Sequence, residues 1–507
     1  MRLGKRVKME NKCGVLKKMY TKSWFLYTLL FLFCLFLGCL SRNYDYDLYA
    51  RLIVGEAFLE KGIIHYNDFL SYTPTHKWYD HEWGSGVVFY WFLKHLGTFG
   101  LIFLHSILMF FTAFFVLKTQ SLQSKNYPKL LFPIILFLIL FSSINGSIVR
   151  CQMFSFMFFS IFLYLLEKYR AKNSNCIWLI LPLTIIWNNL HGGIVSGLGL
   201  IFLYLLNAVI TKQRWKKYFI VLLLASILLI INPYGTDYLG FLLSANTMTR
   251  TYIVEWWHIL VESHSLGFIL SYCYALLIFL LSILDSKVNV FNKLLLLVML
   301  VLGAMHVKLV SFSLIIVTAL FSKELIKVFD VKFIKFVEKF VAILLFLSMF
   351  LVLFLEPFTP RVNDTKFPVK EVEFIATNNL SGNLLTSFGF GSYVTYKLYP
   401  QNLIFMDGRY EEVYNDEEFL ALKEFAMANE NWREVLKKYP TDILLLDKTW
   451  KICDVIKNEK DWTLVFEGNV GQVYVKTKKL KPKYKEIEVK RNYYLKNAFK
   501  NMGKFGE

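Results

Sequence analysis

Apolar runs near the length that crosses a bilayer recur along most of the chain, and this pattern constrains the fold more than any other feature. Hydrophobic residues make up 56% of its 507 residues, including 48 Phe. That is more apolar sequence than one soluble core can use. About eleven runs are candidate transmembrane helices. They cover residues 24–40, 99–117, 130–145, 153–166, 177–190, 194–210, 218–231, 265–284, 293–304, 309–322 and 338–355. We therefore predict a polytopic α-helical membrane protein.

Basic residues between the runs predict the orientation of this protein in the membrane. Cytoplasmic loops carry an excess of Lys and Arg, and here that excess falls in alternate loops, at 118–129, 168–172, 212–217, 287–293 and 323–339. The N-terminus is then cytoplasmic, and the region after residue 355 lies outside the cell. This distribution also accounts for the net charge of +19, so no nucleic-acid partner is expected.

Four segments follow from composition. They are a basic cytoplasmic N-terminus (1–23), a transmembrane domain (24–355) with an external loop (41–98), an extracytoplasmic α/β domain (356–480) and a basic tail (481–507). The external loop is predicted to contain interfacial helices near 48–59 and 87–96. In the α/β domain, helices are predicted at 369–377 and 416–438, and strands at 402–406, 443–446 and 470–475.

The first run has two interpretations. It follows basic residues without a small-residue cleavage site behind it, which predicts a signal-anchor. Residues 35–39 also resemble a lipoprotein cleavage box, which leaves lipidation of Cys39 as the alternative. Only Cys453 falls in the predicted soluble region, so no disulfide framework is expected there.

Polar residues concentrate at the predicted external ends of the spans. The insert at 41–82 carries acids, histidines and aromatics directly after the first span. Polar groups recur in the later external hairpins, at Arg150, His191 and Lys308. Because such groups are costly in lipid, we expect them to line a shared cavity.

Several short stretches together carry a resemblance to a known family. They are Asp45-Tyr46-Asp47, residues 67–73, Asp80-His81-Glu82-Trp83, Arg150-Cys151-Gln152, residues 187–193, Asn232-Pro233-Tyr234-Gly235, Glu255-Trp256 and Met406-Asp407-Gly408-Arg409. The chain resembles the GT-C class of integral membrane glycosyltransferases, in particular bacterial mannosyltransferase-like members. It departs from that pattern at Cys151, where members commonly have Pro, and at Lys308, where they commonly have Arg.

The resemblance implies transfer of a sugar from a polyprenyl-phosphate donor to a glycan, lipid or protein acceptor at the outer face of the cell membrane. Such a transfer needs a carboxylate to deprotonate the acceptor hydroxyl, and Asp47 or Asp45 could supply it. It also needs positive charge on the departing lipid phosphate. Arg150, Lys308 and His191 are the candidates for that charge.

Each of these residues also has a structural interpretation. Asp45 and Asp47 could instead cap the helix that begins near residue 48. Arg150 could only anchor a hairpin at the headgroups, and His191 could stabilise a tight turn at the glycines that follow it.

The remaining candidates are assigned to the acceptor or to the organisation of the external loop. Asp68 and Glu82 could touch the acceptor or organise the insert. Asp407 and Arg409 could recognise the acceptor or form a structural ion pair.

No cofactor or metal is predicted. The insert offers His65, Asp68, His76, Asp80, His81 and Glu82, but these lack the ligand spacing of known metal motifs. Two other classes of protein remain open. One is a transporter or lipid flippase, although no internal repeat is evident. The other is a non-catalytic relative with the same fold.

Overall fold

The computed structural model describes residues 23–40, 43–123, 127–145, 147–248, 250, 253–261, 265–327 and 362–486, with scattered positions between 333 and 350. The predicted N-terminal segment 1–23 lies almost entirely outside the described residues, and so does most of the predicted span 338–355. The basic tail 481–507 is described only to residue 486.

Apolar helices make up the N-terminal two thirds of the chain. They are α1 (Ser23–Leu40), α2 (Leu48–Lys61), α3 (Trp83–Gln123), α4 (Tyr127–Ile144), α5 (Gln152–Lys172), α6 (Ile180–Leu190), α7 (Ile194–Ile210), α8 (Lys216–Leu228), α9 (Asp237–Thr247), α10 (Leu266–Leu284), α11 (Val290–Met305), α12 (Val310–Leu320) and α13 (Ser322–Lys327). A parallel pair of two-residue strands, β1 (Asn43–Tyr44) and β2 (Ser147–Ile148), joins the loop after α1 to the loop after α4.

The helices confirm apolar character but not the predicted number of spans. Two of the described helices, Trp83–Leu122 and Leu266–Leu284, are long and apolar enough to cross a membrane on length and composition alone. The shorter apolar helical segments, such as Leu26–Leu40 and Ile194–Ile210, have 10–17 residues, below the roughly 20 that a span typically needs. About eleven spans are therefore not confirmed.

The segment 41–98, predicted as the external loop, contains one helix within its polar insert and another that begins directly after it. α2 follows the first acids, and α3 begins at Trp83. Gly97 has φ 63° and interrupts α3, so the segment predicted to be interfacial is set apart from the long apolar helix that follows. Gly55 and Gly86 let α2 and α3 approach closely, because a Cβ at Gly55 would lie 2.1 Å from the carbonyl oxygen of Gly86.

The C-terminal region folds around a five-stranded mixed sheet. Its helices are α14 (Val369–Thr377), α15 (Phe388–Leu398), α16 (Tyr410–Val413), α17 (Asp416–Ala426), α18 (Trp432–Lys438) and α19 (Ile452–Ile456). Its strands are β3 (Gly382–Thr386), β4 (Asn402–Ile404), β5 (Ile443–Asp447), β6 (Trp462–Glu467) and β7 (Gly471–Lys476). The strand order is β4-β3-β5-β7-β6, with β4, β3 and β5 parallel and β7 antiparallel to both of its neighbours.

The external loop packs directly on this sheet domain. The amide of Ile404 donates to the carbonyl of Leu70, and the amide of Tyr72 donates back to Ile404, each at 3.0 Å. The amide of His76 reaches the carbonyl of Val413 at 3.0 Å. The insert therefore extends the edge of the sheet beside β4, and the two parts of the chain are joined by backbone hydrogen bonds as well as side chains.

Candidate functional site

Arg150 lies between two carboxylates from distant parts of the chain. Its Nε is 2.9 Å from Asp45, and its terminal nitrogens donate to both oxygens of Glu255 at 2.6 and 3.0 Å. The preceding residue, Val149, is fully buried and has φ 57°, a strained conformation for a β-branched residue. The tight backbone there holds the guanidinium beside Asp45.

Asp47 precedes α2, but its side chain makes no capping hydrogen bond. Its carboxylate has no ion-pair partner within 4 Å in the described part of the chain. Instead it faces the C-terminal domain, since a Cβ at Gly408 would lie 2.5 Å from its Oδ1. Burial, and then the charge of Asp45, raise the pKa of the Asp47 carboxyl well above its usual range. Asp47 is thus the less engaged of the two predicted acids.

A small enclosed cavity joins Asp45 and Asp47 to a further carboxylate, that of Glu82. Asp45, Asp47, Glu82 and Arg150 line it, and it has room for about one water molecule. The carboxylates of Asp45, Asp47 and Glu82 therefore surround one water-sized space.

Lys308 lies in the loop between α11 and α12, near this site. Its Nζ lies 3.4 Å from the centroid of the Trp256 ring, a cation–π contact, and Trp256 adjoins Glu255. Burial raises the pKa of Glu255, but the positive charges of Arg150 and Lys308 outweigh it, so the pKa is lowered overall. The structure therefore places Lys308 against Trp256, the residue that follows the carboxylate partner of Arg150.

His191 joins the site through Glu82 while stabilising its own turn. Its Nδ1 accepts the amide of Gly193 at 2.9 Å and contacts the Ser155 hydroxyl at 2.7 Å. Its Nε2 therefore carries the proton and lies 3.2 Å from Glu82 Oε1. A Cβ at Gly193 would lie 2.3 Å from Ser155 Oγ, so glycine is required where the hairpin folds over.

A second buried network surrounds Arg51, on α2. Its guanidinium contacts Asp80 at 2.6 Å, Glu82 at 2.8 Å and Glu412 at 2.5 Å. Burial raises the pKa of Glu412, but Arg51 and His81 outweigh it and hold that pKa at about 2. Burial and the negative charge of Glu412 raise the pKa of Asp80 to about 6, although Arg51 lowers it. The network ties α2 and the insert to α16 of the sheet domain.

His81, Glu82 and Glu412 are close enough to hold a metal ion, with ligand atoms within 4.8 Å of one another. Arg51 already donates to both of these carboxylates. A metal ion there would sit beside a guanidinium bonded to its own ligands, so the arrangement fits an ion-pair network better than a metal site.

The four residues assigned to the acceptor or the loop separate into two places. Glu82 lies in the site, between Arg51 and His191. Asp68, Asp407 and Arg409 form a fully buried cluster at the joint between the insert and the sheet, in which Arg409 contacts Asp68 at 2.6 Å and Asp407 at 2.9 Å. Trp78 covers the guanidinium, 4.7 Å from ring centroid to Cζ. This geometry is that of a structural ion pair.

Sequence reasoning missed Arg51 and Glu412. Arg51 was detectable, because Leu48, Leu52 and Gly55 define an apolar helical face and residue 51 lies on that face. A charged residue at a core position of a helix signals a buried partner. Nothing local marks Glu412, which follows a short turn and resembles any exposed acid.

No family model matches the chain, and no curated protein matches its sequence.

Proposed function

We propose that this protein is a membrane glycosyltransferase that moves a sugar from a polyprenyl-phosphate donor to an acceptor at the outer face of the cell membrane. The observation that carries the proposal is the convergence of Asp45, Asp47, Arg150 and Lys308. These residues come from three separate loops, and they place a candidate base beside candidate phosphate-binding cations.

The distribution of loops supports a multi-pass topology. The basic loops meet at one end of the helices, where Lys327 pairs with Asp285 and Arg170 donates to Asn292 at 2.9 Å. The loops with the candidate site meet at the other end, where Arg150 reaches Glu255. By the positive-inside rule, the first end is cytoplasmic, and the site and the sheet domain are extracytoplasmic.

Asp47 is the proposed general base. It removes the proton from the acceptor hydroxyl, the oxygen attacks the anomeric carbon, and the bond from that carbon to the phosphate oxygen breaks. A raised pKa suits this role, because a base is most effective when its pKa approaches the working pH. Asp45, held by Arg150, keeps that cation in place.

Lys308 and Arg150 are proposed to receive the phosphate of the departing lipid. Arg150 is engaged by Asp45 and Glu255, and the Glu255 side chain is 35% exposed. The lipid phosphate would therefore replace Glu255 on the guanidinium. Charge-assisted contacts to phosphate contribute on the order of 1.5–3 kcal/mol each.

The test is release of polyprenyl phosphate from a panel of polyprenyl-phosphate hexoses by the purified full-length protein. Asp47→Asn should lower turnover by about 10²–10⁴ without changing expression. Asp237→Asn, an exposed acid on the same side, is the matched control and should leave turnover unchanged. If Asp47→Asn and Asp45→Asn both retain full activity, the base is elsewhere.

Donor binding provides the second arm of this test. Arg150→Ala and Lys308→Ala should each weaken binding of polyprenyl phosphate by about ten- to a hundredfold. Arg150→Lys should recover only part of this binding, since Lys lacks the planar guanidinium fork. Movement of intact polyprenyl-phosphate sugar across liposomes without cleavage would instead establish a flippase.

A further inference from the structure

A second, larger cavity lies in the sheet domain. Its volume is about 660 Å³, within the usual range of ligand sites. It opens where the parallel strands β3 and β5 end, between the start of α15 and the loop after β5. In open α/β sheets, the crevice beyond the carboxyl ends of parallel strands is where ligands bind.

Several aromatic side chains form part of the walls of this cleft, which we call the sheet cleft. Tyr46, Phe388, Phe419 and Trp450 line it. The Tyr46 ring is 41% exposed and packs on Phe367, with centroids 4.8 Å apart. An exposed aromatic face beside polar groups suits a ligand with apolar C–H faces and hydroxyl edges, which is the chemistry of a pyranose ring.

Lysines outnumber carboxylates among the side chains that line the sheet cleft. Lys366, Lys423 and Lys448 line it, against the single carboxylate of Asp447. Lys448 is neutralised by Glu467 at 2.7 Å. The N-terminal end of α15, an 11-residue helix capped by the Ser387 hydroxyl, adds further positive potential. These charges favour a ligand with acidic groups.

Tyr46 connects the sheet cleft to the proposed reaction site. It lies in the chain between Asp45 and Asp47, whose carboxyl groups line the small cavity, while its own ring lines the sheet cleft beside Gly389. The sheet cleft therefore adjoins the segment of chain that carries Asp47.

We propose that the sheet cleft binds the acceptor, and that the acceptor is an acidic saccharide chain. This inference rests on the proposed glycosyl transfer, because only that reaction makes the bound saccharide an acceptor. The binding itself depends only on the cleft, so it can be measured without donor and without turnover.

The experiment measures binding of a panel of neutral and anionic bacterial oligosaccharides to the purified full-length protein. Anionic members should bind more tightly than neutral members of equal length. Trp450→Ala should weaken binding about tenfold, and Trp450→Phe should restore most of it. Leu420→Ala is the control, since Leu420 is exposed on the same helix as Phe419 but does not line the cleft.

A second variant tests the same site even if Trp450→Ala fails to fold. Lys366 is exposed, and Lys366→Glu should weaken the binding of anionic oligosaccharides more than the binding of neutral ones. No binding by any member of the panel, or equal binding by the parent, Trp450→Ala and Lys366→Glu, would overturn the proposal. A failed transfer assay with intact, Trp450-dependent binding would contradict the proposed reaction and leave the saccharide site standing.

Discussion

Replacing Arg51 with methionine should loosen the joint between the external loop and the sheet domain. Methionine keeps much of the side-chain volume, so the change removes charge without opening a large cavity. It leaves Asp80, Glu82 and Glu412 together, with side chains only 2, 9 and 3% exposed. Removing one partner of a buried ion pair costs about 3–5 kcal/mol. Partial protonation of Asp80, whose pKa is already raised to about 6, favours the lower end of that range.

Hydrogen exchange reports this opening at the amides that join the two parts. The amides of Tyr72, His76 and Ile404 donate across the joint. A loss of about 3–5 kcal/mol should speed their exchange by roughly 10² to 10⁴, at about 1.4 kcal/mol for each factor of ten. The readout is exchange at residues 70–76 and 402–405 by mass spectrometry on the full-length protein.

Arg433→Met is the matched control for this experiment. Arg433 also pairs with a glutamate, Glu459, but its side chain is 56% exposed. A surface pair contributes about 0–1 kcal/mol, so exchange at the joint should not change. If these amides exchange in the Arg51→Met protein at rates within a few-fold of those in the parent, the Arg51 network does not hold the joint.

Two further predictions concern pH and orientation. Burial lowers the pKa of His81, but Glu412 and Glu82 outweigh it and raise the pKa to about 9 from 6.5. The stability gained from its protonation is therefore complete below pH 6.5 and is lost as pH rises through 9. The unfolding temperature should fall across that window, and His81→Gln should flatten the curve; equal slopes in the two proteins would rule His81 out. For orientation, Asn415→Cys in a cysteine-free background should react with an impermeant reagent in intact cells, whereas Gln213→Cys should react only after lysis. The opposite pattern would move the site to the cytoplasmic face and remove the proposed function.

The sequence determined the composition of the molecule and many of its elements, because these depend on local patterns. Apolar periodicity located most of the helices, and the helix predicted at 369–377 has those bounds in the structure. The strand β3 escaped prediction, since Gly382–Thr386 is short and carries no alternating pattern. The predicted helix at 416–438 is two helices, because Ala428 has a left-handed backbone between them.

Only the tertiary structure decided which charges meet. Asp45, Arg150, Glu255 and Lys308 were each visible as polar residues at the ends of spans, but nothing local shows that Arg150 takes two carboxylates. Arg51 and Glu412 are 361 positions apart, and their pairing depends on how the sheet domain packs on the external loop. Hydrophobic patterning is read within a few turns of one helix, whereas ion pairs join segments that the chain brings together only when it is folded.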